Sequence, residues 1–301
     1  EFRQRAKNTN RLAYHNSGEM RSFAAPGWEY KSDKNNQLLI DKDSQKKLIH
    51  GYYACVTFID FQIGKILKKL RAKGLMSNTI IVIWGDHGYH LGDHLMWNKH
   101  SNFEQATRSP LIIYAPQDQK PRKVYSPTEF IDIFPTLTNL ANIPVPNNLD
   151  GLSLLPLMTG SAQSIKKYAI SQYPRNHIMG YSFRSSDYRY TLWINKLKIG
   201  QKLSDEDIVQ EELFDYKEDP LETKNLILES GYKKIYEKIK SHAFTFLSPL
   251  NKKKVIKPKS KFGVGIQELL NENNYDETKV VIGATLNNDK LNTKVSDLFL
   301  G

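Results

Sequence analysis

Asp86, His87 and Lys99 have the most chemistry to offer, and all three fall within TIIVIWGDHGYHLGDHLMWNK (79–99). Asp86 is a hard oxygen donor of the kind Ca2+ collects, about six to eight oxygens at a time. His87 presents an imidazole that can ligate a metal or donate to an oxyanion. Because a hard cation prefers oxygen, the oxyanion contact is the stronger reading and metal contact the second. Lys99 carries a compact ammonium that can stabilise negative charge developing on a reacting oxyanion. Each has a plainer alternative: a turn aspartate, a satisfied core histidine, a solvated lysine. His87, His90 and His94, with His100 beyond, also invite a zinc reading. Gly88 and Gly92 disfavour the helix that would align those rings, and zinc recruits a closed tetrahedral set. His94 and Trp97 are read instead as lining the pocket, and Glu104 as fixing the loop.

These side chains need elements to carry them. The apolar run 79–84 stops at Gly85, which reads as a buried strand of a parallel sheet, with Asp86 and His87 at its carboxyl end where such sheets bind ligands. Gly88 would let the chain turn sharply behind them. Upstream, Ser44 reads as an N-cap. Leu48, Tyr52, Val56, Ile59, Ile63, Ile66, Leu67 and Leu70 recur at helical spacing until Gly74. Downstream, LIIYAP (111–116) reads as the next strand and 131–141 as a helix with Pro135 in its first turns. From 165 the pattern changes to short alternating segments, YAISQY, MGYSFRS, YRYTLWI and EELFDY, which read as antiparallel strands of a smaller sheet. Residues 229–246 read as a terminal amphipathic helix, and 1–43 as an irregular approach segment. The fold class expected is α/β with a smaller antiparallel sheet subdomain after it.

Composition is globular, 40% hydrophobic and 25% charged, with a formal charge of +11. A basic balance attracts polyanions at long range; it also fits solvated lysines alone. One cysteine, Cys55, excludes an internal disulfide framework. Nothing reaches the length of a membrane span. The Lys-rich run 252–261 reads as an exposed tether.

The segment GDHGYHLGDHLMWNKHSNFEQATRSPLIIYAP resembles the C-terminal signature of the formylglycine-dependent sulfatases, nearest to the iduronate-2-sulfatase branch of the alkaline phosphatase superfamily. LIHGYYACVTFIDFQIGKIL (48–67), SPTEFIDIFPTLTNLANIPVP (126–146), SQYPR (171–175), IMGYSFRSSDYRYTLWI (178–194) and ELFDYKEDPLETKNL (212–226) resemble it too, and HNSGEMRSF (15–23) resembles a stretch before the long helix in bacterial relatives. The resemblance implies part of an alkaline-phosphatase-like sheet sandwiched by helices over 1–160, a small C-terminal sulfatase subdomain over 161–250, and a basic linker with a possible further domain over 251–301. The last 22 residues, 280–301, faintly resemble the opening strand of a family 10 glycoside hydrolase.

What the resemblance implies about chemistry is specific. Asp86 maps to a calcium ligand, with His87 beside metal and sulfate, and Lys99 maps to the lysine that touches the substrate sulfate. Arg175 would approach the pocket rim and read a uronic acid. The nucleophile, a Cys or Ser oxidised to formylglycine in a C/S-x-P-x-R motif, is missing: Cys55 has no such neighbours. The paired aspartates that complete the calcium site are missing too, and the chain opens at Glu1. It is therefore expected to be the C-terminal portion of a longer sulfatase, partnered by the N-terminal half of the same protein and inactive alone. The implied substrate is a sulfated oligo- or polysaccharide, such as a glycosaminoglycan or ulvan. The implied location is secreted or periplasmic, with no nucleic acid partner. Alternatives are another hydrolase of the superfamily, such as a phosphodiesterase, and a non-catalytic polyanion-binding remnant.

Overall fold

A computed structural model describes residues 3–23, 31–34, 36–117 and 120–248. The Lys-rich run 252–261 and the glycosidase-like stretch 280–301 lie outside the described residues. In chain order come β1 (Lys31–Ser32), β2 (Leu38–Leu39), the long helix α1 (Lys42–Ala72), β3 (Ile81–Trp84), β4 (His90–Leu91), β5 (Trp97–Asn98), α2 (Glu104–Thr107) and β6 (Leu111–Tyr114). Then follow α3 (Ile133–Leu140), α4 (Leu155–Thr159), β7 (Ala169–Arg175), β8 (Ile178–Arg184), β9 (Tyr188–Asn195), β10 (Ile208–Asp215) and α5 (Lys233–Leu247). The architecture is α/β followed by a four-stranded antiparallel sheet with a terminal helix, as its patterning dictates.

The long helix starts earlier than Ser44. Asp41 is the N-cap, its carboxylate accepting from the backbone of Asp43 and Ser44 at 3.0 Å each. An aspartate there satisfies orphan N–H groups and meets the positive end of the helix dipole, so it outcompetes a serine three residues inside. Gly74, at φ +70°, follows the C-cap, as the sequence implies.

Two expectations for the first strand are corrected. Ile81–Trp84 pairs with Leu111–Tyr114 antiparallel, Ile81 opposite Tyr114 and Trp84 opposite Leu111, rather than in a parallel sheet. All four residues of β3 are also half-buried rather than buried. An apolar run fixes that a strand forms but not which way its neighbour runs. Gly88 too has a different reason from a sharp turn. A Cβ there would sit 2.1 Å from the Gln105 carbonyl oxygen, and its N–H donates to Ala106 O at 2.9 Å. Glycine is needed for close approach of the loop to α2.

The best-packed region is the second sheet, in strand order β7–β8–β9–β10. Alternate residues of β8, β9 and β10, among them Phe183, Tyr190, Leu192 and Leu213, are sealed beneath Ile239, Ala243 and Leu247 of α5. The approach segment is more ordered than composition suggests. Ala6, Ala13 and Tyr14 pack with Met96, Phe103 and Phe214, and Lys7 bridges to Lys224. The N-terminal segment thus binds the site loop to the second sheet.

Candidate functional site

Asp86 and His87 emerge where β3 ends. Gly85 N donates to Pro110 O at 3.2 Å and Ser109 Oγ to Gly85 O at 2.8 Å, which fixes the exit of the strand. His87 Nε2 lies 3.4 Å from Asp86 Oδ2, and Nδ1 lies 2.7 Å from the Gly88 carbonyl oxygen. Both side chains open onto a cleft of about 1330 Å³, which Lys99, His100, Asn102, Glu104, Tyr173, Arg184 and Arg189 also line. Asp86 stays open to solvent, its side chain 58% exposed.

Lys99 reaches this cleft through a loop with little freedom. Gly92 at φ +99°, His94 at +53°, Leu95 at +63° and Asn98 at +74° all sit in left-handed backbone. Asparagine tolerates that region, and the surrounding loop holds His94 and Leu95 there. His90 is part of that loop: it is fully buried and pairs through Nε2 with Ser101 Oγ at 2.8 Å. Burial, then the nearby rings of His15 and His94, hold the His90 imidazole well below its usual pKa. His94 is fully buried and stacks on Phe103 at 4.2 Å. Burial depresses its pKa despite the carboxylates of Glu222, Asp93 and Asp219.

Lys99 Nζ donates to Glu19 Oε1 at 2.8 Å, and His100 Nε2 stands 2.8 Å from Glu19 Oε2. Burial would raise the Glu19 carboxyl, yet the bond from Lys99 and the charges of His100 and Lys99 bring it below its usual value. Glu104 is held on the opposite wall. Arg184 Nε lies 3.1 Å away, Arg189 Nη2 closer still, and Tyr216 Oη 3.2 Å away. Its carboxyl also sits low, because Arg189 and Arg184 overcome the burial that would raise it. Glu222 completes this network, 2.7 Å from Arg189 Nε and bonded to the Glu104 N–H at 2.9 Å.

The structure therefore brings Asp86, His87 and Lys99 to one cleft. It does not bring three other residues there as lining groups. His94 and Trp97 are both buried behind the loop, His94 against Phe103 and Trp97 against Met20 and Leu38. The left-handed turn at 92–95 points the chain inward, a bend that residue types alone do not reveal. Arg175 binds backbone carbonyls, Leu12 O at 3.1 Å, Tyr14 O at 3.2 Å and His100 O at 2.7 Å. It fastens the N-terminal segment to the site loop, with its guanidinium over the Tyr173 ring at 4.6 Å. Glu104 does fix the loop, as its position suggested. Sequence reasoning missed Glu19 and Tyr173. Their only signals were the segments HNSGEMRSF and SQYPR, in which they stand.

Calcium demands more than this chain's described residues provide. Asp86 contributes one carboxylate, and among the described residues no three His, Cys, Asp or Glu side chains converge as a metal site. Among the described residues no helix is long and apolar enough to cross a membrane.

Comparison with known proteins adds the chemical context. Residues 9–143 match the Sulfatase family, and residues 92–253, more than half of the chain, match the family described as N-sulphoglucosamine sulphohydrolase, C-terminal. A sulfatase of Formosa agariphila is 34% identical over 156 residues, covering 52% of this chain and 30% of that protein. Iduronate 2-sulfatase of Mus musculus is 30% identical over 254 residues, covering 64% of this chain and 46% of its own length. A solved structure in complex with its substrate D-glucosamine-2-N,6-O-disulfate superposes at TM-score 0.56 with 26% identity, covering 78% of this chain and 46% of that one. The chain spans less than half the length of these relatives.

Proposed function

The chain belongs to the sulfatase family, and on that footing we propose that it forms the C-terminal portion of an enzyme hydrolysing sulfate esters of sulfated sugars. One observation carries the reading: Asp86, His87 and Lys99, spread over a strand end and a loop, line one cleft large enough for a sugar unit. The cleft of about 1330 Å³ leaves room for a sugar unit beside the residues that the N-terminal half would bring to it. The formal charge of +11 favours the approach of a polyanion.

In this reading Lys99 binds the sulfate oxygens and stabilises their developing charge, in a site where water is partly excluded. Nδ1 of His87 donates to the Gly88 carbonyl, so Nε2, now 3.4 Å from Asp86 Oδ2, donates to a sulfate oxygen only when the ring is doubly protonated. Asp86, with His87 beside it, forms one edge of a Ca2+ site whose other ligands come from outside this chain. That cation, when bound, offsets negative charge on the sulfate. The formylglycine nucleophile likewise comes from the N-terminal half of the same protein. The substrate class is a uronate-containing polysaccharide, glycosaminoglycan or algal, and the location secreted or periplasmic. The two portions divide near residue 160, with 161–250 forming the smaller one.

The exposed apolar face of α1 supports an N-terminal partner. No residue of that 31-residue helix is buried, although Tyr53, Val56, Phe58 and Phe61 are apolar. Sulfate release from a panel of sulfated sugars, D-glucosamine-2-N,6-O-disulfate and uronate-containing oligosaccharides among them, tests the proposal. Residues 1–301 alone should release none. The same chain extended by its upstream coding sequence should turn over, and lose activity in Lys99→Ala. An upstream sequence without a C/S-x-P-x-R motif would overturn the enzyme reading in favour of a polyanion-binding remnant.

A further inference from the structure

Glu19 stands behind two residues that line the cleft, with a geometry that the sulfatase reading does not require. Its two carboxylate oxygens go to two different cleft-lining side chains, Oε1 to Lys99 Nζ and Oε2 to His100 Nε2, each at 2.8 Å. Both ring nitrogens of His100 are engaged, because Tyr173 Oη lies 2.6 Å from Nδ1. Nδ1 thus faces a hydroxyl and Nε2 a carboxylate. The His100 carbonyl is tied down as well, by Arg175 Nη2 at 2.7 Å. An ammonium has three donors, so Lys99 keeps two for the cleft while Glu19 holds the third.

The carboxylate is itself fixed. Ser17 and Met20, on either side of it, are fully buried. Ser17 Oγ accepts from Trp97 N at 3.0 Å, and Asn98 Nδ2 approaches Met20 Sδ at 3.2 Å. Glu19 and Lys99 thus ride on two segments locked to each other immediately beside the ion pair. Stability does not explain the arrangement. Lys99, His100 and Glu19 are each a quarter to a third exposed, and such pairs contribute only about 0–1 kcal/mol. Restricting where the ammonium points is what the geometry achieves.

We propose that Glu19 is a positioning residue of the cleft, braced against His100 and holding the Lys99 ammonium so that its remaining donors address one anionic group of the substrate. The proposal rests on the sulfatase reading of the cleft. It separates Glu19 from the groups that touch sulfate: Glu19 repels an anion, and acts by aiming Lys99. Placement by a fixed partner is how binding groups gain effective concentration at a reacting atom.

The full chain provides the test, with D-glucosamine-2-N,6-O-disulfate as the probe, titrated by calorimetry. Glu19→Gln keeps an acceptor for Lys99 and loses the charge facing His100. Glu19→Asp keeps the charge and withdraws it by one methylene. We expect Glu19→Gln to weaken binding about tenfold or more, as loss of a charge-assisted contact would, with Glu19→Asp between it and the wild type. The titration of His100, followed by NMR, should shift down in Glu19→Gln. Lys99, Tyr173, Arg175 and the His15 ring, whose centroid is 5.7 Å away, remain around it in both proteins. The His100 shift establishes the contact, and a loss of affinity without a loss of thermal stability separates aiming from a merely structural role. Unchanged binding or an unchanged His100 titration in Glu19→Gln overturns the proposal. Lys99→Ala distinguishes the two levels. If it binds the probe as well as the wild type, the cleft reading itself falls. If it loses binding while Glu19→Gln does not, only the role of Glu19 falls.

Discussion

The two ends of this chain bury their apolar residues very differently. In β8–β10, Phe183, Tyr190, Leu192 and Leu213 are completely sealed, and α5 covers them. Along α1 the apolar residues recur just as regularly, yet Phe58 and Phe61 are 61% exposed, and β3 and β6 are at best half-covered. Both regions have the composition of core, but only one has its partner within the described residues. Periodicity records what a surface is built to meet; burial records whether that partner is present. The cleft lies between the two: Asp86 and His87 come from the uncovered strand end, and Tyr173, Arg184 and Arg189 from the covered sheet.

The contrast predicts unequal responses to mutation. Arg189→Ala should cost most, about 3–5 kcal/mol, since it strands the buried Glu222 beside Glu104 without a counter-charge. Denaturant unfolding measures it, and a cost below about 1 kcal/mol would refute the network as a fastener. Leu213→Ala should cost about 2–5 kcal/mol through the cavity it leaves. Phe58→Ala on α1 should change stability by no more than about 0.5 kcal/mol in this chain, because its ring meets solvent. Equal costs for the two would erase the distinction.

Hydrogen exchange sharpens the same comparison without mutation. Amides of β8 and β9 should exchange only through global unfolding, and those of the β3–β6 pair far sooner. A smaller effect concerns Glu212. Buried, with Trp193 Nε1 donating at 3.1 Å, its carboxyl is pushed up to about 8, chiefly by burial. A raised carboxyl favours the protonated folded state, so its contribution is whole below the ordinary glutamate value of 4.5 and lost as pH rises to about 8. Stability should therefore decline across that window, and Glu212→Gln should flatten the decline. A variant with the same slope as the wild type would exclude Glu212 as its source.

Much of this was legible in the sequence, and the failures are instructive. The four strands of the second sheet and α5 announced themselves because their periods match their burial. The DHG segment announced the cleft because strand ends in α/β folds are where ligands lie. Sheet direction at β3 was not legible, since an apolar run carries no information about its neighbour. The inward turn of His94 and Trp97 was hidden because His94 and Leu95 adopt left-handed backbone that their residue types do not favour. Arg175 resembled a ligand-reading arginine, but three backbone carbonyls claim it. Glu19 escaped notice because its partners lie eighty residues away in sequence.

The central claim is that Lys99 receives an anionic sugar group in the cleft that Asp86 and His87 share. Comparing Lys99→Ala with Lys46→Ala, a fully solvated lysine on α1 paired only with Asp43, in titrations with D-glucosamine-2-N,6-O-disulfate tests it most directly. At least a tenfold loss of affinity is expected for the first and none for the second. Equal affinities would show that the basic surface as a whole attracts the ligand, and would contradict the site.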